Sequence, residues 1–436
     1  MMLLRNTIAI LALLASAARA DDWPQWLGPA RDGVWRETGI LEKFPAGGLK
    51  VLWRTSIGGG YAGPAVADGR VYVTDRPDAK TERVLCLDET DGRIVWTHVY
   101  GCAYTISYPA GPRTTPVVTK DRVYALGAMG DLLCLDRADG KPVWSKSFTK
   151  DYGQAAPVWG WSGHPLLDGD RLICLVGGPG TAVVAFHKET GKELWRALSS
   201  EGRHGPGYAP PVIVEAGGKR QLIAWTAAAV GSLDPETGKE YWSHPFPLKE
   251  GLSVATPRMS GDGLFVTAFY DGPLMLKLAA DGPAASVAWK GKSSSEMKTD
   301  GLHSIIPTPV IRDGHIYGVC SYGQLRCLKA ETGERLWETF QATTGDRPIR
   351  WANAFLIPHG DRFFIANEKG DLILARLTPK GYEEIDRARL LQATGRAGAG
   401  RRPDEVLWSH PAFANRCIVA RNDREIIRVS LAAEGK

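Results

Sequence analysis

LLCLDRADGKPVW, residues 132–144, couples an apolar run ending in Asp136 to a glycine-containing turn and a tryptophan, and the chain returns to this order several times. Its relatives are VLCLDETDGRIVW ending at Trp96, VVAFHKETGKELW at Trp195, VGSLDPETGKEYW at Trp242 and LRCLKAETGERLW at Trp337. A degenerate copy, DGPAASVAW, ends at Trp289, so the interval from Trp to Trp stays between 47 and 51 residues. Such a period marks a repeat architecture, in which each unit buries its apolar face only against its neighbours.

Within one unit, TPVVTKDRVYALGAMGDLLCLD alternates apolar and polar residues between turn signals at Lys120-Asp121 and Met129-Gly130-Asp131, which predicts a short strand and a hairpin. The next turn gives Gly140 its positive φ and leads to a last strand carrying Trp144. Four antiparallel strands at this period form a propeller blade. First strands recur at GPAVADGRVYV, TPVVTKDRVYA, HPLLDGDRLIC, PPVIVEAGGKRQLIAW, TPRMSGDGLFVTA, TPVIRDGHIYGV, AFLIPHGDRFFIA and HPAFANRCIVA, which makes eight blades. The eighth ends in DREIIRVSLAAEGK without an outer strand, while LKVLWRTSIG, with Trp53, precedes the first. We expect that strand to complete the last blade, closing the ring and leaving no long sheet edge. The fold class expected is all-β: an eight-bladed propeller of four-stranded antiparallel blades over 49–436, after an N-terminal extension over 21–48.

Residues 1–20, MMLLRNTIAILALLASAARA, carry Arg5, an apolar stretch from Thr7 to Leu14, and the small-x-small ending Ala18-Arg19-Ala20, the pattern of a cleaved export signal. The mature chain would begin Asp21-Asp22-Trp23, without the cysteine a lipid anchor needs, so a periplasmic or secreted location is expected. No later segment has the ~18 uninterrupted apolar residues of a membrane span. Losing Arg5 and Arg19 takes the net charge from +5 to +3, too small and dispersed for a nucleic-acid partner. The densest basic spot, GRAGAGRRP with Arg396, Arg401 and Arg402, reads as a solvated loop. Of the seven cysteines, six sit in strand-like runs such as LLCLD, where packing is the expected role; Cys102, in the loop YGCAYT, stands apart.

The phrase Asp-x-x-Thr-Gly-x-x-x-Trp, intact in DPETGKEYW, resembles the repeat of the quinoprotein, or PQQ-binding-like, propellers, and the resemblance runs along nearly the whole mature chain. WPQWLGPARDGVW resembles the opening of exported members. The resemblance implies that the recurring Trp clamps neighbouring blades. It also implies two branches of function. The enzymes hold PQQ with calcium on the axis, beside a catalytic Asp, and oxidise alcohols or sugars. Their alcohol-oxidising members carry a pair of adjacent cysteines that this chain lacks, and they are longer. The BamB-like branch is non-enzymatic and binds protein partners.

Function is expected on the loops that lead from one blade's outer strand to the next blade's inner strand, since these converge on one end of the axial channel. Just before the inner strands lie Tyr61, Arg113, Trp161 with His164, Tyr208, Ser253, His303, Trp351 with Asn353, and Trp408 with His410. Indole and phenol faces with polar tips suit a planar or sugar-like ligand; the same side chains could instead plug the channel by packing. His164, His204, His303 and His410 share these loops but lack any metal-ligand spacing, so no metal site is assigned. Asn353, Glu201, Glu296 and Asp300 have the chemistry of calcium ligands, with no spacing that singles them out. No nucleophile elbow or Walker loop occurs. The expected function is an exported binding or scaffold module, for a protein partner or a small ligand in the funnel, without a required cofactor. The alternatives are a PQQ- and calcium-dependent sugar or alcohol dehydrogenase, and a carbohydrate binder stacking sugars on Trp161, Trp351 and Trp408.

Overall fold

A computed structural model describes residues 21–202, 204–397, 402 and 404–433. The expected leader, residues 1–20, and Arg401 lie outside them. In the phrase that repeats, Asp131–Asp136 and Pro142–Ser147 pair antiparallel around a tight turn. The Asp136 carboxylate accepts the Ala138 N–H at 2.9 Å, and Gly140, at φ +73°, donates its N–H to the Asp136 carbonyl. This is why the phrase needs Asp at its start and Gly near its end: one caps the turn, the other reverses it.

The turn also receives the tryptophan of the preceding blade. Trp96 donates its indole N–H to the Arg137 carbonyl at 3.0 Å, and its ring lies so close to Gly140 that a Cβ there would sit 2.5 Å away. Trp53 meets the Glu89 carbonyl and Gly92 in the same way, Trp144 meets Lys188 and Gly191, Trp195 meets Pro235 and Gly238, and Trp289 meets Ala330 and Gly333. Trp242 departs from the pattern. The next blade's DGPAAS turn lacks Thr-Gly, and this indole bonds instead to the Gln221 side chain of its own blade, at 2.8 Å.

A β-bulge aims each clamp. Cys134 pairs with Trp144 and Leu135 with Pro142, so Val143 is skipped and left 42% exposed. The same shift precedes Trp96, Trp195, Trp242, Trp289 and Trp337. Opposite the indole stands a small residue in most blades: Cys86, Cys134, Ala185, Ser232 or Cys327. Those cysteines are therefore spacers beneath a tryptophan. All seven cysteines, Cys102 included, are buried and free.

Eight four-stranded sheets follow one another around the ring. The blades begin at Ala65–Ala67, Val117–Val118, Leu166–Asp168, Val212–Ala216, Arg258–Ser260, Val310–Arg312, Ala354–His359 and Ala412–Ala414. Lys50–Ser56 pairs with Glu425–Ser430 as the outer strand of the eighth blade, which closes the ring as expected. The apolar core lies between blades rather than within them; Val84, Cys86 and Trp96 of the first pack on Val118, Val123 and Leu135 of the second. Helix among the described residues is limited to Phe148–Asp151 and a short 3-10 turn, Lys249–Gly251.

Candidate functional site

The axial channel is closed at one end by the residues that follow Asp21. Trp23 exchanges backbone hydrogen bonds with Val66, and the Pro24 carbonyl accepts the Val118 N–H. Arg31 reaches the carbonyls of Pro165 and Pro211, and Arg258 donates to those of Arg31 and Asp32. Trp35 N–H goes to Pro358, and Leu41 N–H to Leu431. The segment thus touches blades from the first to the eighth, and its Trp26 lines the axial cavity. Trp26 is its centre: its ring stacks on His164 at 4.0 Å, meets His410 edge-on at 4.9 Å, and its N–H binds the Thr256 hydroxyl at 3.0 Å.

Above this floor is a cavity of about 590 Å³. Tyr61, Arg113, His164, Tyr208, Trp351, Trp408 and His410, from the sequence-derived set, line it. Trp161, His303 and Asn353 do not. Trp161 is 2% exposed, donates its indole N–H to the Val176 carbonyl and packs edge-on against Phe148. The cavity is met instead by Trp159, two positions earlier in VWGWSGHP. His303 is fully buried, between the Phe269 carbonyl and Asp300. Asn353 is equally buried behind Trp351, and Ser253, also buried, supports Tyr208 through its carbonyl. Sequence reasoning missed Trp26, Tyr108, Tyr270 and Arg350 in the lining. WPQWLGPARDGVW, which holds Trp26, lies outside the repeat and so has no period to place it.

One carboxylate organises the tryptophan wall. Glu368, buried in the turn NEKG of the seventh blade, accepts the Trp408 indole N–H at 2.9 Å and the Asn353 N–H at 3.3 Å. It also pairs with Arg402 at 2.7 Å, where the two side chains are 3% and 7% exposed. Arg402, expected in a solvated loop, is therefore a buried counter-ion: the Glu368 carboxylate and the Arg350 carbonyl together draw its guanidinium inward. Trp351 has φ +65°, a left-handed conformation that an aromatic residue rarely adopts and that surrounding contacts must enforce. Its N–H binds the Ser321 carbonyl, and the Arg350 guanidinium lies 4.5 Å over its ring while pairing with Glu296 at 2.6 Å.

The polar groups of the funnel are held in defined states. Arg113 spends its donors on the backbone carbonyls of Trp159, Gly111, Ser107 and Tyr108, and it faces the Tyr61 ring at 5.2 Å. Burial pushes the His164 pKa well below the usual histidine range and that of His410 down to about 4, so both are neutral at pH 7. His164 Nδ1 accepts the Thr115 N–H, which leaves the proton on Nε2. His410 Nδ1 donates to the Pro411 carbonyl, which leaves Nε2 as an acceptor. Of the two imidazoles packed against Trp26, one therefore keeps a donor at Nε2 and the other an acceptor.

These groups do not fit a calcium–PQQ assembly. Among the described residues Glu250 is the one carboxylate lining the cavity, and it pairs with His204 at 3.3 Å. Of the four oxygen-bearing residues named from the sequence, Glu296 is held by Arg350, Asp300 by the Lys292 N–H and His303, Asn353 is buried off the cavity, and Glu201 is exposed away from it. Among the described residues no group of three or more His, Cys, Asp or Glu side chains could hold a metal ion.

An eight-bladed ring with tryptophan clamps and an aromatic axial funnel defines the class of PQQ-like propellers. The chain belongs to the family whose model is described as "Outer membrane protein assembly factor BamB", matched over residues 44–183, 80–280 and 227–425. A quinoprotein ethanol dehydrogenase from Pseudomonas aeruginosa is 34% identical over 128 residues, 23% of this chain and 20% of that protein. The chain thus spans about a fifth of the length of the curated relatives it matches. Among solved structures, BamB from Moraxella catarrhalis superposes with a TM-score of 0.57 at 16% identity, covering 88% of this chain and 98% of that one. Quinohemoprotein alcohol dehydrogenase from Comamonas testosteroni reaches 0.64 at 15% identity, covering 97% and 82%. At such identities the likeness is one of fold.

Proposed function

We propose that the chain is exported after removal of residues 1–20 and acts as a binding module whose axial funnel takes a small organic ligand with a flat apolar face, such as a sugar or an aromatic acid. The observation that carries this reading is the cavity of about 590 Å³ with a closed floor, where aromatic side chains from separate blades converge on a few oriented polar groups. Its size lies within the range of small-molecule sites, and the mixture of stacking faces and sparse hydrogen-bonding groups is their usual chemistry. Strain at Trp351 supports it further, since left-handed aromatic residues persist mainly where function requires them. The family description favours a second reading, in which a protein partner docks a side chain into the same funnel.

Indole emission provides the test. The mature protein is titrated with mono- and oligosaccharides, aromatic carboxylates, and PQQ with and without calcium. Saturable quenching by one of the first two classes, lost in Trp351→Ala and Trp408→Ala, is expected. Calcium-dependent PQQ binding with turnover of a sugar or alcohol would replace this reading with a dehydrogenase. No saturable response from any of them would leave the protein-partner reading.

A further inference from the structure

The segment that floors the funnel returns to its own beginning. The Asp21 backbone nitrogen lies 3.2 Å from Glu37 Oε1. Glu37 is 7% exposed, and its other oxygen accepts the Trp35 indole N–H and the Arg416 N–H, each at 2.8 Å. Among the described residues no Lys, Arg or His side chain forms an ion pair with it. A buried carboxylate held by neutral donors alone keeps an uncompensated charge, which is costly unless a cation joins it. The residue it faces is the one at which the sequence, Ala18-Arg19-Ala20-Asp21, places the end of an export signal.

We propose that hydrolysis after Ala20 supplies the missing cation: the new α-ammonium group of Asp21 pairs with Glu37 and clasps the two ends of the segment that closes the funnel floor. The step is an ordinary peptide hydrolysis. One water is consumed, its hydroxyl stays on the Ala20 carbonyl carbon as the carboxylate, and the Asp21 nitrogen leaves as an amine that takes up a proton at neutral pH. A hydrogen bond with charge on the acceptor alone becomes an ion pair with charge on both partners. The inference rests on the proposed processing after Ala20 and not on any ligand in the funnel.

The pH dependence has a defined sign. A free α-amine has a pKa of roughly 7.7–8.0, and pairing with a carboxylate raises it in the folded state. The added stability is then complete below the unfolded value and is lost as pH rises through the folded one. The neighbours do not titrate in that window. Asp22 and Asp32, the latter paired with Arg36, change charge in acid; burial holds His359 below its usual range; and the Cys417 thiol is pushed up to about 11.

The experiment compares a chain that starts with a free Asp21 amine and one carrying Ser-Gly-Ser ahead of Asp21, which moves the amine up to ~10 Å away. At pH 7 the first should melt about 1 °C higher, as a salt bridge of modest strength would give for a ring of this size. The gap should close by about pH 10, beyond the range in which a paired α-amine titrates, and be absent between the two forms made with Glu37→Gln. Equal melting at pH 7, a gap unaltered by pH, or one that survives Glu37→Gln would overturn the clasp. Should Glu37→Gln fail to fold, the pH series on the unmutated pair still decides. N-terminal sequencing of the exported protein tests the processing separately: Asp21 is expected, and any other first residue overturns the inference.

Discussion

Replacing Glu368 with Ala removes a single carboxylate from three partners. Arg402 keeps a buried guanidinium with no counter-ion in contact, and the Trp408 indole N–H and the Asn353 N–H lose their acceptor. Breaking a buried ion pair from one side costs about 3–5 kcal/mol, mostly through the charge left behind. Unfolding entropy of about 2.1 cal/mol/K per residue, over the 416 residues from Asp21 onward, amounts to about 0.9 kcal/mol/K. The expected fall in Tm is therefore ~3–6 °C. Calorimetry on Glu368→Ala, Arg402→Ala and the double variant measures it. The double variant should lose much less than the sum of the single losses, because removing both charges leaves neither stranded. Trp408 emission should shift to the red in both variants that lack Glu368, as the ring loses its tether. A Glu368→Ala protein that melts within a degree of the parent, or single losses that simply add, would refute the assignment of Glu368 as the hub of this wall.

Other consequences are as direct. Gly140→Ala should destabilise well beyond Gly69→Ala: both have φ of +73°, but a Cβ at Gly140 meets the Trp96 ring while Gly69 faces open space, and urea melts of the pair isolate the clamp. Buried neutral His410 makes stability depend on acid. With a folded pKa of about 4 against roughly 6.5 unfolded, the contribution is complete above pH 6.5 and is lost as pH falls toward 4, up to about 3 kcal/mol, and His410→Gln should flatten that slope in denaturant melts. Native protein should show no fast-reacting thiol to a disulfide reagent and seven on unfolding, since every cysteine is buried and unpaired.

The ring was legible because its most frequent phrase is also its joint: Asp136 and Gly140 shape a turn, Trp96 docks on it, and both ends of that contact are written in each copy. Where a copy decays the contact changes too, as when Trp242 falls back on Gln221. The funnel was legible only in outline. Position before an inner strand selects a loop but not the direction of its side chains, so Trp161 could be read as a stacking platform although it is Trp159 that faces the cavity. Arg402 was misread for a related reason, because glycine-rich composition describes freedom of the backbone and not the depth at which a guanidinium settles. Glu368 carried no signal at all. Its three polar contacts come from 15, 34 and 40 positions away, through the pairing of Ala354 with Asn367 and the loop that leads to the eighth blade, and no repeated phrase marks them.

That closure has a consequence for biogenesis. Lys50 and Ser430 are register partners, 380 positions apart, so the strand over residues 50–56 waits without its mate until residues 425–430 have been delivered. A chain crossing a membrane N-terminus first would present the earlier blades as an open arc, its two ends sticky, until the tail arrives. Long-range pairing of this kind slows folding and prolongs exposure of unmated edges. A rearranged gene that moves residues 21–57 behind the present C-terminus would let the final blade form from neighbouring hairpins, and it should shorten that vulnerable interval while leaving the finished ring the same.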